Sequence, residues 1–153
     1  MQTIRALIFV LSFFISIQSV AKVSSPGVES KTKGVNIVTG VYKLKSGDSK
    51  CFEGELRFTH VNGFESLVLN ESILIQGLNK TSFSTKERAC STDVKNAVSK
   101  GKIESVEIRE CKSAKLKVIK SVGYSNKSIH FTQITEAPSQ EPVKFECLLT
   151  RVQ

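Results

Sequence analysis

Apolar and polar positions alternate along most of this chain with the two-residue period of half-buried β-strands. The pattern is clearest over Cys51–His60. Phe52, Gly54, Leu56, Phe58 and His60 fall on one face there, and Glu53, Glu55, Arg57 and Thr59 on the other. Asn62-Gly63 follows, a dipeptide suited to the two-residue hairpin turn because both residues tolerate positive φ. Phe64–Leu69 supplies the return strand. Ile37–Lys45 before this hairpin reads as a strand, and so do Ser72–Gly77, Thr81–Thr85, Ile103–Glu110, Ala114–Val122, Lys127–Thr135 and Val143–Val152 after it. The stretch Lys86–Lys102 lacks alternation. Within it, Ser91-Thr92-Asp93 reads as the cap of a short helix carrying Val94, Ala97 and Val98 and stopping at Gly101.

Short strands at regular spacing, joined by hairpin-type turns, predict an all-β domain. The expected architecture is a single antiparallel up-and-down barrel of about eight strands, with a β-sandwich as the alternative. Tyr42 and Leu44 on the first strand and Phe52, Leu56 and Phe58 on the second are expected to point inward. Further along, the inward set is Val106 and Ile108, Leu116 and Val118, Ile129 and Phe131, and Phe145 and Leu149.

Two segments at the start break the pattern. Residues 1–21 have the layout of a secretory signal peptide: a charged start ending at Arg5, an uncharged run Ala6–Ile17, and the small residues Ser19-Val20-Ala21 before a cleavage point. The run is short for a membrane span. Residues 22–36, rich in Ser, Lys and Gly with Pro26-Gly27 inside, read as a flexible lead, which leaves 37–153 as the β-barrel domain. The expected location is therefore secreted or periplasmic, with no transmembrane segment in the mature chain.

Export changes the reading of the cysteines. Cys51, Cys90, Cys111 and Cys147 are expected to form disulfides in an oxidising compartment. Four cysteines allow three pairings, and nearest-neighbour pairing (Cys51–Cys90, Cys111–Cys147) is slightly favoured. No C-x-x-C pair exists, and His60 and His130 lack ligand spacing to any cysteine, so neither a metal nor another cofactor is expected.

Catalytic residues are scarce. Beyond residue 21 the aspartates are Asp48 and Asp93, both in turn or cap settings, and neither histidine sits in a nucleophile-activating context. Glu53 and Glu55 point outward from one strand rather than across a cleft. The chain reads as a non-enzyme.

Two binding readings remain. An eight-strand barrel has room for side chains or for one small ligand. The pocket candidates are Tyr42, Phe52, Gly54, Phe58, His60 and Phe131, with Gly54 leaving space or marking a bend and His60 at the mouth. Gly40-Val41-Tyr42 resembles the Gly-x-Trp signature of lipocalins, with Tyr in place of Trp. Arg151 on the last strand is placed like the arginine that packs over that ring. Together with the strand count, this resemblance implies an up-and-down barrel that binds a small hydrophobic molecule such as a fatty acid or lipid. The leading expectation is a non-catalytic exported binding protein for a small hydrophobic or amphipathic ligand.

The alternative comes from charge. The chain of 153 residues carries a formal charge of +8, mostly as lysine, which draws it to acidic surfaces. Lys112, Lys115, Lys117 and Lys120 form the candidate basic face, fit for an acidic envelope component or another protein. Specific nucleic-acid binding is disfavoured, since the basic stretch 95–127 has Tyr124 as its lone aromatic. Inhibition of a secreted hydrolase, through the loop Ser121–Ser125, is a variant of the same reading.

Overall fold

The computed structural model describes residues 32–152, so the predicted signal peptide and residues 22–31 of the lead lie outside the described part. Ten strands follow one another. They are β1 (Gly40–Gly47), β2 (Gly54–Val61), β3 (Phe64–Leu69), β4 (Ser72–Gln76), β5 (Ser82–Glu87), β6 (Cys90–Ser99), β7 (Lys102–Cys111), β8 (Ala114–Tyr124), β9 (Ser128–Glu136) and β10 (Val143–Arg151). All belong to one antiparallel sheet, in the order β4-β3-β2-β1-β10-β9-β8-β7-β6-β5. The all-β expectation holds. The ladder is not closed into a barrel, because β4 and β5 are its two edges.

The sheet nonetheless curls back on itself. Its edge strands are consecutive in sequence and joined by residues 77–81 alone. Across this seam Asn96 Nδ2 on β6 donates to the carbonyls of Gln76 (2.9 Å) and Gly77 (2.8 Å), and Phe64 on β3 stacks on Phe83 on β5 with ring centroids 4.3 Å apart. One buried cluster collects Tyr42, Leu56, Leu67 and Ile75 from one arm of the ladder and Ile103, Val122 and Phe131 from the other. Strands at opposite ends can share a core only if one face of the sheet turns inward. Each fully buried aliphatic side chain there contributes about 1.5–3 kcal/mol.

Local chemistry explains much of the layout. Asn62 (φ 52°) and Gly63 (φ 81°) turn β2 into β3 with both residues at positive φ, as that dipeptide predicts. Tyr42 is opposite Arg151 where β1 pairs with β10. Its ring is fully buried and its hydroxyl donates to the Val38 carbonyl at 2.7 Å.

Three expectations are corrected. The stretch given to a capped helix is strand β6, in which Thr92, Val94, Asn96 and Val98 alternate inward against exposed Asp93, Lys95, Ala97 and Ser99. Half of the inward positions are polar, so the alternation is one of position and not of hydrophobicity. The disulfides are Cys51–Cys147 and Cys90–Cys111, with Cα atoms 5.7 and 4.2 Å apart. Once β6 is a strand, Cys90 and Cys111 are direct partners across the β6–β7 hairpin. The lead is also packed from Thr32 onward: Val35 is buried in the core and Thr32 Oγ1 donates to Glu65 Oε2 at 2.7 Å.

Candidate functional site

The inner face of β6–β10 is best described as rungs, each crossing the strands through residues in register. The first rung runs Cys147, Phe131, Val122, Ile103, Val98. It is entirely apolar, and its first four members are at most 3 % exposed. The next rung runs Phe145, Gln133, Lys120, Ser105, Asn96. The third runs Val143, Thr135, Val118, Glu107, Val94, and beyond it lie Leu116, Arg109 and Thr92. An apolar floor thus gives way within one rung to a polar band bordered by Phe145, Val118 and Leu116.

That band is charged and incompletely satisfied. Lys120 Nζ pairs with Glu107 Oε1 at 2.7 Å, with side chains only 13 % and 19 % exposed. Ser105 is fully buried and its Oγ has no hydrogen-bond partner; Asn96 Oδ1 and Arg109 Nε are likewise buried and unpartnered. No carboxylate is paired with Arg109 among the described residues. Buried polar groups are almost always satisfied, so three orphans within three successive rungs mark this as the unusual part of the interior.

The predicted pocket residues fall elsewhere. Tyr42, Phe58 and Phe131 are buried in the apolar core, with Phe52 packed against it, and they fill the interior at that end. His60 is exposed near the turn and opposite Glu65. Gly54 does not open onto free space. Its φ of +147° disfavours any side chain, and a Cβ there would sit 3.1 Å from the Asn70 side chain, so it is a backbone glycine.

Inward direction is also corrected on β7. Val106 and Ile108 lie on the outer face, Val106 in register with Ile119 and Lys95, while Ile103, Ser105, Glu107 and Arg109 point inward. Leu44, expected inside, is 37 % exposed. Burial pushes the Tyr42 hydroxyl above its ordinary pKa, an effect the neighbouring Arg151 charge opposes.

The lysines do not form one face. Lys115 and Lys117 share the outer face of β8, Lys120 faces inward, and Lys112 lies in the β7–β8 turn. Lys115 pairs with Glu110 (2.5 Å) and Lys117 with Glu136 (3.0 Å), so carboxylates neutralise the strip locally. The segment proposed as an inhibitory loop is mostly the end of β8. There Val122 is buried and the Tyr124 hydroxyl donates to the Gly34 carbonyl at 3.1 Å.

A shallow outer groove of about 650 Å³ lies over β1, β9 and β10, lined by Ser46, Asp48, His130 and Glu146 among others. Lys144 (2.9 Å) and His130 both pair with Glu146. The hydrogen bond from Lys144, then that from His130, holds the Glu146 carboxyl below the usual carboxylate range. A depressed carboxylate contributes stability above its unfolded pKa and loses that contribution as pH falls through the lower folded value. NMR titration should therefore show Glu146 titrating below the ordinary glutamate range, and the difference should shrink in Lys144→Gln. An unchanged difference would remove Lys144 as its main cause.

Comparison with protein-family models, with curated proteins and with solved structures finds no match for this chain. Two disulfides join all four cysteines, as an oxidising compartment allows. Among the described residues no helix is long and apolar enough to cross a membrane.

Proposed function

We propose that this is a non-catalytic, exported binding protein that takes a small amphipathic molecule against the inner face of its curled sheet. The observation that carries the reading is the polar band. Buried, unpartnered Ser105 is opposite Lys120, in a rung that reaches Phe145 on β10 and is followed along β8 by Val118 and Leu116. A ligand with one polar and one apolar end meets both kinds of surface within two rungs. Small-molecule sites have this make-up, mainly apolar walls with a few convergent polar groups.

The curled up-and-down sheet and the Tyr42–Arg151 pairing support a lipocalin-like arrangement in which the closed, filled end is the one at Tyr42. The ligand then occupies the opposite end, where the long β6–β8 strands extend past the core. The local pairing of Lys115 and Lys117 with carboxylates weighs against an outer basic face as the binding surface.

Native mass spectrometry of the protein, exported by its own host and purified without detergent, tests this. A discrete added mass that disappears on denaturation, and that is lost in Val118→Trp, is expected. The bare mass alone, with delipidated protein taking up no amphipathic probe, overturns the reading.

A further inference from the structure

We infer that the polar end of the ligand is an oxyanion, a carboxylate or a phosphate monoester, and that Arg109 holds it. The inference rests on the amphipathic-ligand reading and adds the charge.

The polar band carries two cations, Arg109 and Lys120, against one anion, Glu107. Lys120 and Glu107 satisfy each other at 2.7 Å. Arg109 is left as the inward-facing cation without a partner carboxylate among the described residues, and its Nε is buried and unpaired. A guanidinium presents its Nε–H and one Nη–H side by side, a fork that matches the two oxygens of a carboxylate or phosphate. An arginine whose Nε is buried and vacant is therefore short of an acceptor, and an oxyanion is the group that fits.

The neighbours fit the same guest. Leu116, opposite Arg109 on β8, and Val118, one rung further in, offer apolar contact beside the fork. Lys120 adds a second positive charge toward the core, where Ser105 and Asn96 hold further unpartnered polar atoms. Within the polar band a cationic guest would have Glu107 alone to meet, and Lys120 already occupies it.

The experiment uses four probes with one alkyl chain: decanoate, decyl phosphate, decan-1-ol and decyltrimethylammonium. Binding to the delipidated protein is measured by calorimetry below the micelle-forming range. Decanoate, decyl phosphate or both are expected to bind at least about tenfold more tightly than decan-1-ol, as a charge-assisted pair of hydrogen bonds implies. Decyltrimethylammonium is expected to bind no better than the alcohol. Whichever anion wins identifies the oxyanion class. In Arg109→Gln the preference should fall to that of the alcohol, with urea unfolding of the variant showing that it is folded. Equal affinity for anions and alcohol overturns the inference and leaves the amphipathic-ligand reading standing. An anion preference that survives Arg109→Gln also overturns it. Failure of all four probes overturns that reading and the inference together.

Discussion

Replacing Cys51 and Cys147 together by alanine is expected to lower the unfolding free energy by about 4–5 kcal/mol, and replacing Cys90 and Cys111 by about 3 kcal/mol. The ordering follows from how much chain each bridge closes. The first joins residues 96 apart and the second residues 21 apart, and a longer closed loop removes more freedom from the unfolded chain. Packing adds to the difference, because Cys147 is 2 % exposed and belongs to the apolar rung while Cys90 lies at the end of a hairpin. Urea unfolding of the two double variants measures both losses. Equal losses, or a larger loss for the Cys90–Cys111 pair, would show that chain closure is not what these bridges contribute. Against a total stability typical of about 5–15 kcal/mol, the long-range bridge decides whether the fold survives a reducing environment.

Gly77→Ala should cost about 2–4 kcal/mol, and Gly63→Ala only about 1–2 kcal/mol, although both glycines have positive φ. The backbone penalty is shared: φ is +69° at Gly77 and +81° at Gly63. The surroundings differ. A Cβ at Gly63 meets nothing within 4 Å, whereas one at Gly77 collides with the Phe83 ring, which stacks on Phe64. The difference between the two variants thus isolates the close approach at the seam. Asn96→Ala should act on the same place, since it strips the donor from the Gln76 and Gly77 carbonyls. Its cost should not add to that of Gly77→Ala, because both loosen one contact. Additive losses in the double variant would mean that the two residues act independently.

Much of the strand pattern could be read from the residues themselves. The β2–β3 hairpin was visible because apolar identity and strand position coincide there, and because Asn62-Gly63 specifies its turn. On β9 and β10 the inward residues Ile129, Phe131, Phe145 and Leu149 were legible for the same reason. β7 was not, and the cause is chemical. Its outward positions carry Val106 and Ile108, and its inward ones carry Ser105, Glu107 and Arg109, so hydrophobicity points the wrong way.

A signal for the correct direction was nevertheless present. A two-residue turn at Lys112-Ser113 places Cys111 opposite Ala114, hence Arg109 opposite Leu116 and Glu107 opposite Val118. Residues in register share a face, so Leu116 and Val118 cannot point inward together with Val106 and Ile108. Register outranks residue type here. On β6 the same masking turned Ser91-Thr92-Asp93 into an apparent helix cap and hid the Cys90–Cys111 pair. The misread inner faces of β6 and β7 both line the polar band.

The sheet order has a last consequence for how the molecule comes into being. β10 is the last of the ten strands to be synthesised, yet it lies inside the ladder, paired on one side with β9 and on the other with β1. Until it arrives, the chain can form only two separate meanders, β1–β4 and β5–β9, each with an open hydrogen-bonding edge where β10 belongs. Pairing Tyr42 with Arg151 brings together residues from opposite ends of the described chain, a contact of very high sequence separation. Completion of the sheet is therefore postponed until the last of its ten strands has been made. A chain truncated before Val143 would leave both open edges free to aggregate.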